Sequence, residues 1–178
     1  MERRSLLSAS AIVLTAMFPL LASADESKDT QALVAALAKS KLTLSEGMRQ
    51  VTKSPAAPIS AKFELEDGKL SLSVYTAEKG LAVEPEKNVL QELSGSPEQD
   101  KWEPKVEVFK DVPHVARSSE QLTLMALGKS SLTDIIARVE KTQQGKVFSV
   151  TPTIRNHKPV AEVLVAEKGK VKKLFQPL

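Results

Sequence analysis

Three short stretches of this chain occur twice, in the same order and at nearly the same spacing, and this limits the fold more than any other feature. Ala36-Leu37-Ala38-Lys39-Ser40 returns 90 positions later as Ala126-Leu127-Gly128-Lys129-Ser130. Thr43-Leu44-Ser45-Glu46 returns after 88 as Ser131-Leu132-Thr133-Asp134, and Ala77-Glu78-Lys79-Gly80 returns after 89 as Ala166-Glu167-Lys168-Gly169. Small insertions account for that drift, and self-similarity at a fixed period marks a repeated structural unit. The chain reads as one unit written twice.

Each unit opens with helix formers. Residues 31–39 and 120–127 are rich in Ala, Leu and Gln, with Thr30 and Ser119 placed as N-caps. A second helix follows in each. Ser131 with Asp134 resembles a capping box, and Leu132, Ile135, Ile136 and Val139 recur at i, i+3, i+4 and i+7. The first unit places Thr43 with Glu46 at the same cap and Leu44, Met48 and Val51 on the same stripe. Gly47 stands where the other unit has Ile135, which predicts a close approach by a strand.

The period then changes from 3.6 to 2. Ile59, Ala61, Phe63 and Leu65 alternate with Ser60, Lys62, Glu64 and Glu66, so one face is expected in the core and one in water. Asp67-Gly68 signals a type I′ hairpin, Leu70, Leu72 and Val74 continue the apolar phase, and short strands are expected at 81–84 and 89–93. The second unit repeats the phase through Phe148, Val150 and Ile154, then Ala161, Val163 and Val165, then Val171 onward, but ends one strand short. The polar, Pro-flanked stretch 95–118 reads as a linker whose extra strand, 106–109, would fill that gap. The expected architecture is α+β in two tandem repeats, 25–94 and 119–178. Each lays one or two helices on a three- to four-stranded antiparallel meander.

Residues 1–24 have the three parts of a secretory leader. Glu2-Arg3-Arg4 gives a short charged start, 6–21 are mostly apolar, and Ala22-Ser23-Ala24 is a small-x-small exit before Asp25-Glu26. The apolar run is interrupted by Ser8, Ser10, Thr15 and Pro19 and is short for a bilayer core of about 30 Å. Cleavage after Ala24 is expected, leaving no membrane span, with the product periplasmic or secreted. Arg3-Arg4 also hints at twin-arginine export, but the rest of that motif is incomplete. Removing the leader lowers the formal charge from +3 by one, and no Cys is present to carry a lipid or a disulfide.

The Thr/Ser-Leu-capped helix, the Glu66-Asp67-Gly68-Lys69 hairpin, the alternating strand and the turn Ala166-Glu167-Lys168-Gly169-Lys170-Val171 together resemble the PepSY domain family. The resemblance spans 42–93 and 131–175. In peptidase propeptides such modules restrain or assist a peptidase, which implies a protein-binding role outside the cytoplasm. Here the two units are expected to stand without a protease domain. The arrangement is also similar to that of beta-lactamase inhibitor proteins, a likeness of fold alone.

A catalytic constellation is hard to assemble. The chain has two histidines, His114 and His157, and neither accompanies a nucleophile elbow; both read as loop or turn residues. Glu64, Glu66, Asp67 and Glu78 lack the spacing of a calcium loop and read as a solvated face. No catalytic residue, cofactor or metal site is therefore expected. With 4% aromatic residues and a small net charge, nucleic acid is not an expected partner.

Two surfaces are candidates for binding. Trp102, in a charged linker, either folds back to plug the gap between the units or, with Tyr75 on the wet phase of its strand, anchors a protein partner. Lys168, Lys170, Lys172 and Lys173 could meet an anionic surface, or simply guard an edge strand against pairing. The expectation is an exported, non-enzymatic protein that binds and modulates an exported peptidase or another envelope protein, most simply as an inhibitor. The alternative is a structural or sensing module for anionic polymer, lipid or a small ligand.

Overall fold

In the computed structural model, residues 22–178 are described, apart from Asp100. The expected leader falls almost wholly outside them. Four α-helices form: α1 (Ala22–Ala36), α2 (Leu44–Val51), α3 (Val112–Leu127) and α4 (Leu132–Thr142). Seven strands accompany them: β1 (Ala57–Glu66), β2 (Lys69–Ala77), β3 (Leu90–Gly95), β4 (Lys105–Val108), β5 (Lys146–Arg155), β6 (Lys158–Glu167) and β7 (Lys170–Pro177). The protein is α+β, with one antiparallel sheet in the order β4-β3-β2-β1-β5-β6-β7.

The caps of α2 and α4 fall where the sequence places them. Thr43 Oγ1 accepts from the Glu46 N–H, and the Glu46 carboxylate accepts from the Thr43 N–H at 2.7 Å. Ser131 Oγ accepts from the Asp134 N–H at 3.1 Å. The other two helices differ from expectation. Thr30 lies inside α1 rather than at its start. Ser119 also lies inside its helix, where its hydroxyl donates to the Val115 carbonyl at 2.7 Å. The cap of α3 is Asp111, whose carboxylate accepts from the His114 N–H, with Pro113 in the first turn, where its missing N–H costs nothing. The last seven residues of the expected linker, 112–118, are thus helix.

Asp67 (φ 49°) and Gly68 (φ 75°) make the tight β1–β2 turn as expected, with Glu66 opposite Lys69. Asn156-His157 and Lys168-Gly169 turn β5 into β6 and β6 into β7 through the same left-handed region. The strand expected at 81–84 does not form. Asn88 holds that segment as a loop: its Oδ1 accepts from the Lys79 N–H, and its Nδ2 donates to the Gly80 and Val83 carbonyls at 2.8 and 2.9 Å. Nor does β4 complete the second half. It pairs with β3, the strand preceding it in the chain, at the opposite edge from β7. A short connection favours the adjacent strand over a route across the whole sheet.

The sheet is continuous across its middle, where β1 meets β5 through Ala61–Val150 and Lys62–Ser149. One face carries Ala61, Phe63, Leu72 and Val74 with Val150, Ala161, Val163 and Val165, all buried. The helices α2 and α4 cover it with Leu44 and Met48, and with Leu132, Ile135, Ile136 and Val139. Each such side chain stabilises by about 1.5–3 kcal/mol, against about 1 kcal/mol for a cap. Packing therefore supplies the stability, and the caps set the boundaries. Among the described residues no helix is long and apolar enough to cross a membrane.

Candidate functional site

The sheet's other face carries Ser60 and Lys62 of β1, Tyr75 of β2 and Thr151 of β5. The register sets Ser60 opposite Tyr75 and Ala61 opposite Val150, so these four side chains share one phase. The helix α3 crosses above them and presents His114, Arg117, Ser118 and Gln121, spaced i, i+3, i+4 and i+7 on one stripe. Together the eight residues enclose a cleft of about 170 Å³. It straddles the joint between β1 and β5, where the Ser60 hydroxyl donates to the Val150 carbonyl at 3.2 Å.

The cleft is rich in donors. Burial alone would push the Lys62 ammonium down, but the hydrogen bond to Glu64, the Tyr75 phenol and the Glu64 charge together outweigh it and hold Lys62 above its usual range. Glu64 is itself fixed by the Ser73 hydroxyl, which donates at 3.0 Å. Burial raises the Tyr75 phenol, Glu92 and Glu64 add to the rise, and Lys62 opposes it, so the phenol stays neutral. Tyr75 stacks on Phe109 at 5.9 Å, and Phe109 on His114 at 5.1 Å. The His114 Nδ1 lies 2.7 Å from Asp111 Oδ2, and that hydrogen bond lowers the Asp111 carboxyl. Among the described residues no hydrogen bond joins the His114 ring to a hydroxyl. This arrangement is equipped to hold an acceptor-rich group such as a carboxylate.

Of the residues singled out in the sequence, Tyr75 enters this site and Trp102 does not. Trp102 is 6% exposed, with its indole Nε1 3.3 Å from where a Cβ on Gly95 would stand. It is a core residue that closes over β3, so the exposed-anchor reading is corrected. The basic set also changes. Lys168 sits in the β6–β7 turn at φ 49°, off the strand, while Lys170, Lys172 and Lys173 lie on β7 at the sheet edge. Lys172 hydrogen-bonds Gln143, and Lys173 pairs with Glu162 at 3.1 Å.

His157 is a turn residue, and Glu64 is an ion-pair partner. Among the described residues no group of three or more His, Asp or Glu could hold a metal ion. The sequence reading missed Arg117 and Ser118 because it began α3 eight residues late, and it placed Gln121 in the helix without giving it a role. The signal was present in Asp111-Val112-Pro113, a capping residue followed by proline in the first turn.

Fold and cleft together define an α+β protein with a helix-roofed polar cleft at the middle of a single antiparallel sheet. Against protein-family models, curated proteins and solved structures, the chain has no match.

Proposed function

We propose that the chain is an exported, non-catalytic binding protein of two PepSY-like units that binds and modulates, as an inhibitor, a peptidase or another protein of the cell envelope. The observation that carries this reading is the donor-rich cleft at the β1–β5 joint. One strand of that joint comes from each half of the chain, so a partner group seated there engages both. Lys62, Arg117, Gln121 and the neutral Tyr75 phenol offer charge-assisted and neutral donors to a partner carboxylate. The two-unit reading draws support from the order helix, three strands in each half, with hairpins at Asp67-Gly68 and Asn156-His157. The leader-like residues 1–24 support export.

The test is photo-cross-linking in the producing cells with a reactive aromatic amino acid in place of Tyr75. The reading expects a cross-link to one envelope protein, lost when Arg117→Glu is added. Cross-links that persist with Arg117→Glu, or that join only cytoplasmic proteins, would overturn it.

A second reading rests on the other basic feature. Lys168, Lys170 and Lys172 line a shallow hollow of about 380 Å³ with Glu167 and Val171, open to anionic polymer or lipid. Attachment there would fade with salt, because exposed charges are screened over about 8 Å at physiological ionic strength.

A further inference from the structure

The two edges of the sheet are built differently. At one, β7 carries Lys170, Lys172 and Lys173, the kind of guard that keeps an edge from pairing. At the other, β4 (Lys105–Val108) is exposed along its whole length, with Val106 58% and Val108 45% exposed. Val112 and Val115, just beyond it, are exposed as well.

The direction of the free backbone groups follows from one bond. The Phe109 N–H donates to the Leu90 carbonyl at 3.0 Å, continuing the β3–β4 register. Alternate residues of an antiparallel ladder face the same neighbour, so Phe109, Glu107 and Lys105 turn their main-chain groups to β3. Val106 and Val108 turn theirs outward.

The charges then choose the occupant. Glu107 lies directly opposite Glu92 of β3, and like charges so placed repel. Among the described residues neither acid has a salt-bridge partner. We infer that β4 pairs antiparallel with β4 of a second copy of this chain, on a two-fold axis through Val106. In that register Val106 faces Val106 with reciprocal N–H to carbonyl bonds, and each Val108 N–H reaches the other Pro104 carbonyl. Each Lys105 stands across from the other copy's Glu107, in the closer, non-hydrogen-bonded type of pair, and offsets the Glu92–Glu107 repulsion twice over. Shifting the axis to Glu107 keeps the backbone bonds but sets Glu107 against Glu107. The isologous pairing joins two seven-stranded sheets into one.

The test is sedimentation equilibrium on the protein as its cells produce it, over roughly a hundredfold range of concentration. The inference predicts reversible growth toward the dimer mass, weakened by salt. Val106→Pro removes only an outward N–H and should weaken association at least about tenfold while leaving the β3–β4 bonds intact. Lys105→Glu and Glu107→Lys should each weaken it similarly, and the double variant K105E/E107K should restore it. This charge cycle decides the matter even if the proline variant fails to fold. A monomer at every concentration, a dimer indifferent to these changes, or a double variant that fails to restore pairing would each overturn the inference. So would a monomer that instead takes an unrelated extended peptide along β4.

Discussion

Gly47 of α2 lies so close to β2 that a Cβ on it would stand 2.3 Å from Leu72 Cδ2. Leu72 is fully buried, so its side chain has little room to move aside. Gly47→Ala should therefore destabilise the fold by about 1–3 kcal/mol, the range for overpacking a filled core, despite the higher helix propensity of alanine. Urea denaturation checks this. A variant as stable as the parent would mean that α2 does not sit this near β2.

At the β5–β6 turn, His157 adopts φ 60°, a conformation that costs a residue with a Cβ and not glycine. The β1–β2 turn has Gly68 at the equivalent place, at φ 75°. His157→Gly should stabilise by about 0.5–1 kcal/mol, and Gly68→Ala should destabilise by about 1 kcal/mol. Paired thermal melts of the two variants read both signs, and equal shifts in one direction would contradict the turn geometry.

Trp102 is the single tryptophan and is buried, with an indole N–H that has no hydrogen-bond partner among the described residues. Its fluorescence should be blue-shifted in the native protein and move to the red on unfolding. Trp102→Ala should cost about 3–5 kcal/mol, whereas Trp102→Phe should cost markedly less, because phenylalanine keeps most of the apolar contact and removes the orphan donor. Native emission at the wavelength of free tryptophan, with an alanine variant of parental stability, would return Trp102 to the surface.

The hydrogen bond from the Thr43 backbone, and then that from its side chain, hold the Glu46 carboxyl below its usual value of 4.5. A depressed folded value means that the ionised cap stabilises above the unfolded pKa and is lost as pH falls through the folded one. The wild-type advantage over Glu46→Gln should be full at neutral pH and shrink below about pH 4.5. The carboxylate is well exposed, so solvent screening keeps the effect small. Melting temperatures of the two proteins from pH 7 to 3 test it. A difference that grows on acidification would show that the box does not use the ionised carboxylate.

The sequence was most legible where a local pattern and its structural consequence involve neighbouring residues. Thr43-Glu46, Ser131-Asp134 and Asp67-Gly68 declare their caps and turn because the partners are adjacent or three positions apart. The alternation of Ile59 to Leu65 declares the strand, but the phase expected in water is partly covered as well, with Ser60 buried beside α3. The cleft was hidden for the opposite reason. Ser60 and Thr151 are 91 positions apart and meet through the β1–β5 pairing, and Arg117 and Ser118 join them from the part of α3 that was taken as linker. The same gap misplaced β4, since nothing in Val106-Glu107-Val108 states which sheet edge it will join. Trp102 was left between core and anchor because a charged neighbourhood in sequence gives no sign of the packing at Gly95 that covers the indole.

The central claim, that the cleft between α3 and the β1–β5 joint binds and modulates an envelope protein, is tested most directly by turnover. The protein recovered by cross-linking at position 75 would be purified and, where it is a peptidase, assayed against increasing amounts of this chain. The account predicts saturable inhibition, with Arg117→Glu shifting the midpoint at least about tenfold and Tyr75→Phe, which keeps the stack on Phe109 and removes the hydroxyl, shifting it the same way, while their melting temperatures stay close to the parent's. Turnover unchanged by the chain, or inhibition equally strong with both variants, would contradict it.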